Sequence, residues 1–121
     1  MGPVEPAPES PRRGHAYWVR IPGEPGGKRR PAIVVSPDSR NRFASDVIVV
    51  PLSTVIREAP THVRLRAAEA GIRRPSVAKC EQITTVDRSL LSVRPIGGTL
   101  SGARMTEIEK GILRAIGVPI D

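Results

Sequence analysis

A small, mainly β (α+β) domain with one C-terminal helix is the fold class that the sequence predicts. Three observations carry that prediction. Thirteen prolines and eleven glycines cut the 121 residues into short pieces. The apolar runs between them are short and rich in β-branched residues. One stretch near the end repeats its apolar residues at helical spacing.

Residues 1–13, MGPVEPAPESPRR, hold four prolines and a single branched apolar residue, Val4, and read as a disordered leader ahead of one domain over 14–121. Ala16–Ile21 carries most of the aromatic residues and forms a first strand, which Pro22-Gly23 ends. The loop Pro22–Arg30 is longer than a hairpin needs, and long polar loops on small β domains usually carry binding function. Strands follow at Ala32–Ser36 and Val47–Leu52. Between them, Pro37–Asp46 is a polar turn region. Its Arg40, Asn41 and Arg42 are candidates for RNA contact; the competing reading is a solvated turn with Phe43 tucked into the core.

Val55–Thr61 looks mobile, and strands are expected at His62–Leu65 and Ser76–Ile83. Asp87 caps a helical turn over Asp87–Leu91, and Ile96–Thr99 reads as a last short strand. Met105, Ile108, Ile112, Leu113 and Ile116 then form one apolar stripe. Ser101 caps its start, and Gly117 with Pro119 ends it. Gly111 inside this helix costs about 1 kcal/mol against alanine, which points to a close neighbour there. The expected plan is a small twisted barrel with the helix packed against it.

Composition narrows the class further. With one Trp, one Tyr and one Phe, the core must be aliphatic. No apolar run approaches the ~20 residues of a membrane span, and no secretory signal is visible. One cysteine, Cys80, forbids an internal disulfide. No CxxC pair or histidine cluster suggests zinc. The expectation is a cytoplasmic protein without metal or cofactor. Nineteen basic against twelve acidic residues give a net charge of +7, and nearly all the cations are arginine. The planar arginine fork pairs with phosphate oxygens, so the excess favours an anionic partner; a GC-rich genome is the competing source of the arginine bias.

The stretch from Pro22 to Thr54 concentrates the chemistry. Its Gly-rich, basic loop delivers Lys28, Arg29 and Arg30 to the start of one strand, and the next strand ends in Ser53-Thr54. An arginine and a hydroxyl on neighbouring strand ends form a minimal oxyanion-stabilising pair. Gly26-Gly27-Lys28 is not a phosphate-binding P-loop. The position six before the lysine is Pro22, the position after it is Arg29, and a strand follows where a helix is required.

GHAYWV at 14–19, PGEPGGKRRP at 22–31, AIVVSPDSRNRF at 32–43 and VIVVPLST at 47–54 arrive in the order and spacing of the MazF/PemK toxin endoribonucleases. THV at 61–63, SVAKCEQITTVD at 76–87 and TLS before the final helix continue the match. The chain therefore resembles that family over nearly all of 14–117. The resemblance implies an SH3-like barrel of the PemK/CcdB type that acts as a homodimer. It also implies a metal-independent ribonuclease that cuts single-stranded mRNA at a short sequence and is restrained by a MazE-like antitoxin. The family's arginine falls on Arg30 and its active-site hydroxyl on Ser53, with Thr54 as the neighbouring alternative. Where the family usually reads Arg-Gly-Asp, this chain has Arg13-Gly14-His15.

Metal-free RNA cleavage proceeds most readily through the RNA's own 2′-OH, leaving a 2′,3′-cyclic phosphate and a 5′-OH. It needs a proton acceptor, a proton donor and charge stabilisation at the phosphoryl oxygens. Arg30 suits the last task and is a poor base. His62 is the titrating candidate, set against a surface histidine that only contacts RNA. Glu24 is a candidate base or base-edge acceptor. Gln82 is a candidate base reader or brace, set against a buried structural amide. Lys28, Arg29, Arg40, Asn41 and Arg42 complete the expected RNA contacts. An acidic, disordered antitoxin segment would fit a basic groove between two copies. The alternatives are a CcdB-like topoisomerase poison and a non-catalytic nucleic-acid-binding barrel.

Overall fold

The computed structural model describes residues 9–120. Six strands build one curved antiparallel sheet: β1 (Ala16–Arg20), β2 (Arg29–Val34), β3 (Asp46–Ser53), β4 (His62–Leu65), β5 (Ser76–Lys79) and β6 (Thr84–Asp87). Their order is β1-β2-β3-β5-β4, with β6 also paired to β3. Among the described residues no ladder joins β1 to β4, so the barrel-like sheet stays open on that side. A short turn of helix, α1 (Asp38–Asn41), sits between β2 and β3, and α2 (Gly102–Ala115) packs on β4 and on the 3₁₀ turn Cys80–Gln82.

Strand β3 is the hub. Its first half pairs with β6, its middle residues Val49, Val50 and Pro51 pair with β2, and its last two residues, Leu52 and Ser53, pair with Ala78 and Val77 of β5. Because side chains alternate across a strand, β3 feeds two cores. Val50 and Leu52 join Ala16, Ile33, Leu65 and Ile108 in the larger one. Val47 and Val49 join Tyr17, Val19, Val34 and Val86 in the smaller one. Both are mainly aliphatic, as the scarcity of aromatics requires; Tyr17 in the smaller one is the exception.

Several expectations need correction. The last strand lies at Thr84–Asp87, not at Ile96–Thr99. Ile96 and Leu100 each donate one amide hydrogen bond, to Ala16 and Gly14, without forming a ladder. The cause is local. Gly71 and Gly97 cross so closely that a Cβ on Gly97 would come within 2.6 Å of the Gly71 Cα, and a strand's side chains have no room there. The expected strand Ser76–Ile83 stops at Lys79, where Cys80–Gln82 turns as a 3₁₀ helix. Phe43 is 88% exposed, so it does not tuck into the core. Residues 1–8 of the expected leader lie outside the described residues. Its last part is engaged: Arg12 N–H donates to the Tyr17 hydroxyl, and the Asn41 amide donates to the Pro11 carbonyl.

The helical reading of the C-terminus agrees with the structure. Ser101 Oγ accepts from Arg104 N–H, and Met105, Ile108 and Gly111 are the buried positions of α2. Leu113 and Ile116 of the expected stripe stay exposed. A Cβ on Gly111 would lie 2.6 Å from Cys80 Sγ, which explains glycine at this point. Burial pushes the Cys80 thiol up to about 11, so it packs as a small neutral group.

Gly111→Ala is expected to lower stability by about 1–3 kcal/mol through overpacking, despite the ~1 kcal/mol that alanine gains in helix propensity. Urea melts read the sign, and adding Cys80→Ala should recover part of the loss, since the two positions couple. A second test concerns Glu69, which takes both Nε and Nη2 of Arg104 at 2.9 Å. That hydrogen bonding, ahead of the opposing effect of burial, holds the Glu69 carboxyl below its ordinary 4.5. A depressed folded-state value gives stability that is present above the ordinary value and lost as pH falls through the folded one. Glu69→Gln should therefore melt earlier than the parent at neutral pH, with the gap closing in acid.

Candidate active site and basic cleft

The site grows out of the place where β3 changes partners. The β2–β3 ladder runs through Val34–Val49 and Ile33–Val50 and ends at Ala32–Pro51. Both strands meet proline there, at Pro31 and Pro51, and proline has no amide to donate. Counted onward in the same register, Arg30 falls level with Ser53, and Arg29 with Thr54. Residues opposite one another on antiparallel strands share a face. Arg30 and Ser53 therefore belong to one face of the sheet, Arg29 and Thr54 to the other.

The Arg30/Ser53 face continues across the next strands. Ser53 pairs with Val77, and Val77 with Arg64 on β4; His62, two residues before Arg64, points to the same side. Neighbouring strands lie about 4.8 Å apart, so Arg64 stands roughly 10 Å from Ser53 across β5. Glu24 reaches back from the loop and accepts from Arg30 Nε at 3.0 Å. That leaves both terminal nitrogens of the guanidinium to point elsewhere. Ser53 Oγ accepts from Val55 N–H at 3.1 Å, so its own hydrogen remains available to donate.

His62 is differently set. Its Nδ1 lies 2.9 Å from the Arg57 carbonyl and its Nε2 3.1 Å from Glu81 Oε2. Both partners are acceptors. Both ring nitrogens are thus engaged within the protein, so this arrangement does not present His62 as a free base. Thr61 Oγ1 also donates to Glu81. Burial pushes the Glu81 carboxyl up, yet hydrogen bonds from its own backbone amide, His62 and Thr61 outweigh that and leave it below its ordinary value.

On the other side of the parted strands, an open cleft of about 730 Å³ runs between the β2 start and the segments 71–76 and 94–96. Lys28, Arg29, Arg30, Arg73, Arg74 and Arg94 line it, with Thr54 and Trp18. No Asp or Glu is in its wall. Sequence reasoning singled out Lys28 and Arg29 for RNA contact and Arg30 for charge stabilisation, and missed Arg73, Arg74, Arg94 and Trp18 as members of one site. Their only signal was an arginine in otherwise apolar or proline-bearing connections, and position in the chain does not reveal which loops meet.

The 37–46 turn does not supply the expected RNA contacts as a group. Asn41 is fully buried; its amide donates to the Pro11 and Ser36 carbonyls and its oxygen accepts from Ser36 Oγ. It is a structural brace and not an RNA contact. Arg40 donates to both the carboxylate and the carbonyl of Asp46, which commits its guanidinium. Arg42 is exposed, and so is Gln82, which removes the buried-amide reading for that residue. His15 spans 3.1 Å to the Gly97 carbonyl and so helps to hold the floor of the cleft.

Fold and site together define a small antiparallel β domain with one strongly cationic end, a class suited to polyanions. The model of the PemK-like, MazF-like toxins of type II toxin–antitoxin systems matches residues 12–116, and the chain belongs to that family. It is 36% identical over 86 residues to Endoribonuclease EndoA of Bacillus subtilis (strain 168), covering 67% of this chain and 74% of that one. An endoribonuclease from a mycobacterial species, solved in complex with its cognate antitoxin, superposes with a TM-score of 0.76. It shares 27% identity, over 93% of this chain and all of that one. The Mycobacterium tuberculosis toxin MazF-mt6 shares the fold, with a TM-score of 0.75 at 23% identity over 88% of this chain and 99% of that one.

Replacing His62 with Ala should let the Glu81 carboxyl titrate closer to its ordinary value. A side-chain carboxyl NMR titration would read this as an upward move, and an unchanged midpoint would show that the dyad does not hold the charge.

Proposed function

We propose that this protein is a toxin endoribonuclease that cuts single-stranded mRNA at a short recognition sequence without a metal ion. The observation that carries the reading is the placement of Arg30 and Ser53 on one face at the parted ends of β2 and β3. Membership of the toxin family and the likeness to an endoribonuclease support it. In this reading the 2′-OH attacks the adjacent phosphorus and loses its proton. The bond to the 5′-oxygen breaks, and that oxygen takes up a proton, leaving a 2′,3′-cyclic phosphate and a 5′-OH. Glu24 occupies Nε and turns the terminal nitrogens of Arg30 towards the non-bridging oxygens, where charge grows in the transition state. Ser53 donates the second hydrogen bond. The cations around the site favour phosphate and disfavour a divalent metal ion.

The same reading includes a homodimer and an antitoxin with an acidic, disordered segment, complementary to the +7 chain. It places the protein in the cytoplasm, where its substrate is; no described helix is long and apolar enough to cross a membrane.

The test is cleavage of a long mixed-sequence RNA in EDTA, with the ends mapped by primer extension. Cuts should recur at one short motif and leave 5′-OH ends. Arg30→Ala and Ser53→Ala should each lose on the order of 10²–10³ in rate, the cost of removing one preorganised donor, while Thr54→Ala should lose far less. Full activity in Arg30→Ala would overturn the site. Intact RNA with a folded protein would turn attention to the topoisomerase-poison and plain binding alternatives.

A further inference from the structure

We propose that the cleft behind the Arg30/Ser53 pair is a second RNA subsite, holding a nucleotide that flanks the cut phosphodiester. The identity of the strand rests on the ribonuclease reading above; the character of the cleft does not. Elsewhere on the surface, Arg13, Arg40 and Arg104 each sit against a carboxylate, while others such as Arg42 and Arg64 have none among the described residues; the cleft differs in gathering six cations on one opening with no Asp or Glu in its wall. Around the cleft, Lys28, Arg29, Arg73, Arg74 and Arg94 have no carboxylate partner among the described residues, and Arg30 has Glu24. Like charges gathered on one opening repel one another unless an anion sits among them.

The lower part of the cleft has the opposite character. Trp18, 42% exposed, stands beside Pro31, Ile72 and Ile96. In a chain with three aromatic residues, leaving the one tryptophan at the surface wastes burial unless something stacks on it. A polynucleotide alternates a flat ring with an anion, and this cleft brings an exposed indole together with six cationic side chains. An acidic peptide would satisfy the cations but not the indole. The volume of about 730 Å³ is ample for one nucleotide. The floor is also fixed: the Gly71–Gly97 crossing leaves no side chain free to collapse into it. Arg30 lines the cleft while belonging to the Ser53 face, so one strand of RNA can pass over that rim from the cut bond to the subsite.

Trp18 is the only tryptophan in the sequence, so intrinsic fluorescence reports on this cleft alone. The experiment titrates the full chain with an RNA oligonucleotide made uncleavable by a 2′-deoxy substitution at the mapped cut, or with a mixed-sequence pool if no cut is found. The variant Arg73→Ala/Arg94→Ala is carried in parallel, its fold checked by circular dichroism. RNA should quench Trp18. The double variant should bind on the order of tenfold more weakly, with its log–log salt slope shallower by about 1.4, the loss of two phosphate contacts to a single strand. With cleavable RNA it should raise KM on long substrates and leave kcat unchanged.

Unmoved emission together with an unchanged salt slope would overturn the subsite even if RNA is cut normally. Quenching by an acidic polypeptide but not by RNA would also overturn it and mark the cleft as a protein-binding surface. Quenching by RNA with the expected loss in the variant, but no cleavage by the parent, would sustain the subsite and sink the ribonuclease reading.

Discussion

The structure depends on one strand serving two sets of partners. β3 is hydrogen-bonded to β6 along its first half, to β2 in its middle and to β5 at its end, and it supplies apolar side chains to both cores. On one edge β6 gives way to β5, and on the other the ladder to β2 ends at Ala32–Pro51. The prolines at 31 and 51 settle where the separation begins, because neither can extend the ladder with an amide. The proposed Arg30/Ser53 site and the cleft both occupy the opening that results. The functional end is thus a by-product of how the sheet divides, with no dedicated domain to hold it.

Electrostatics follows the same economy. The chain has few carboxylates, and most of those with a partner act as clamps: Glu109 on Arg13, Asp46 on Arg40, Glu69 on Arg104, Glu81 on His62. These contacts fasten the N-terminal approach, the α1 turn, α2 and the loop before β4. The exposed pairs contribute little stability individually, but they remove acids from the surface that faces the cleft. What remains there is nearly uncompensated positive charge. A protein arranged this way binds polyanions through long-range attraction first and local fit second.

Much of this was legible in the chain, for identifiable reasons. The α2 stripe, its Ser101 cap and the Asp87-capped turn follow from spacing and capping chemistry, which are local. Five of the six strands stand where short β-branched runs met turn residues. Gly111 was read as a sign of close approach, and Cys80 is the neighbour. The failures are non-local. Thr84–Asp87 carries three β-branched residues, but it is short, directly follows a run already read as a strand, and pairs with a strand nearly forty residues earlier. Asn41 looks like a solvated turn residue until Pro11 and Ser36 close around it. Arg73, Arg74 and Arg94 belong together only because two loops cross at glycines, and a crossing leaves no periodic trace.

That crossing separates two kinds of change in such a protein. Substitutions at Gly71 or Gly97 would push backbone against backbone and shift the whole floor. Those at the neighbouring exposed positions 73, 74 and 94 alter only what stands on it. Substitution at this end is thereby channelled: the platform tolerates little change, whereas the side chains above it can be exchanged one at a time without moving it.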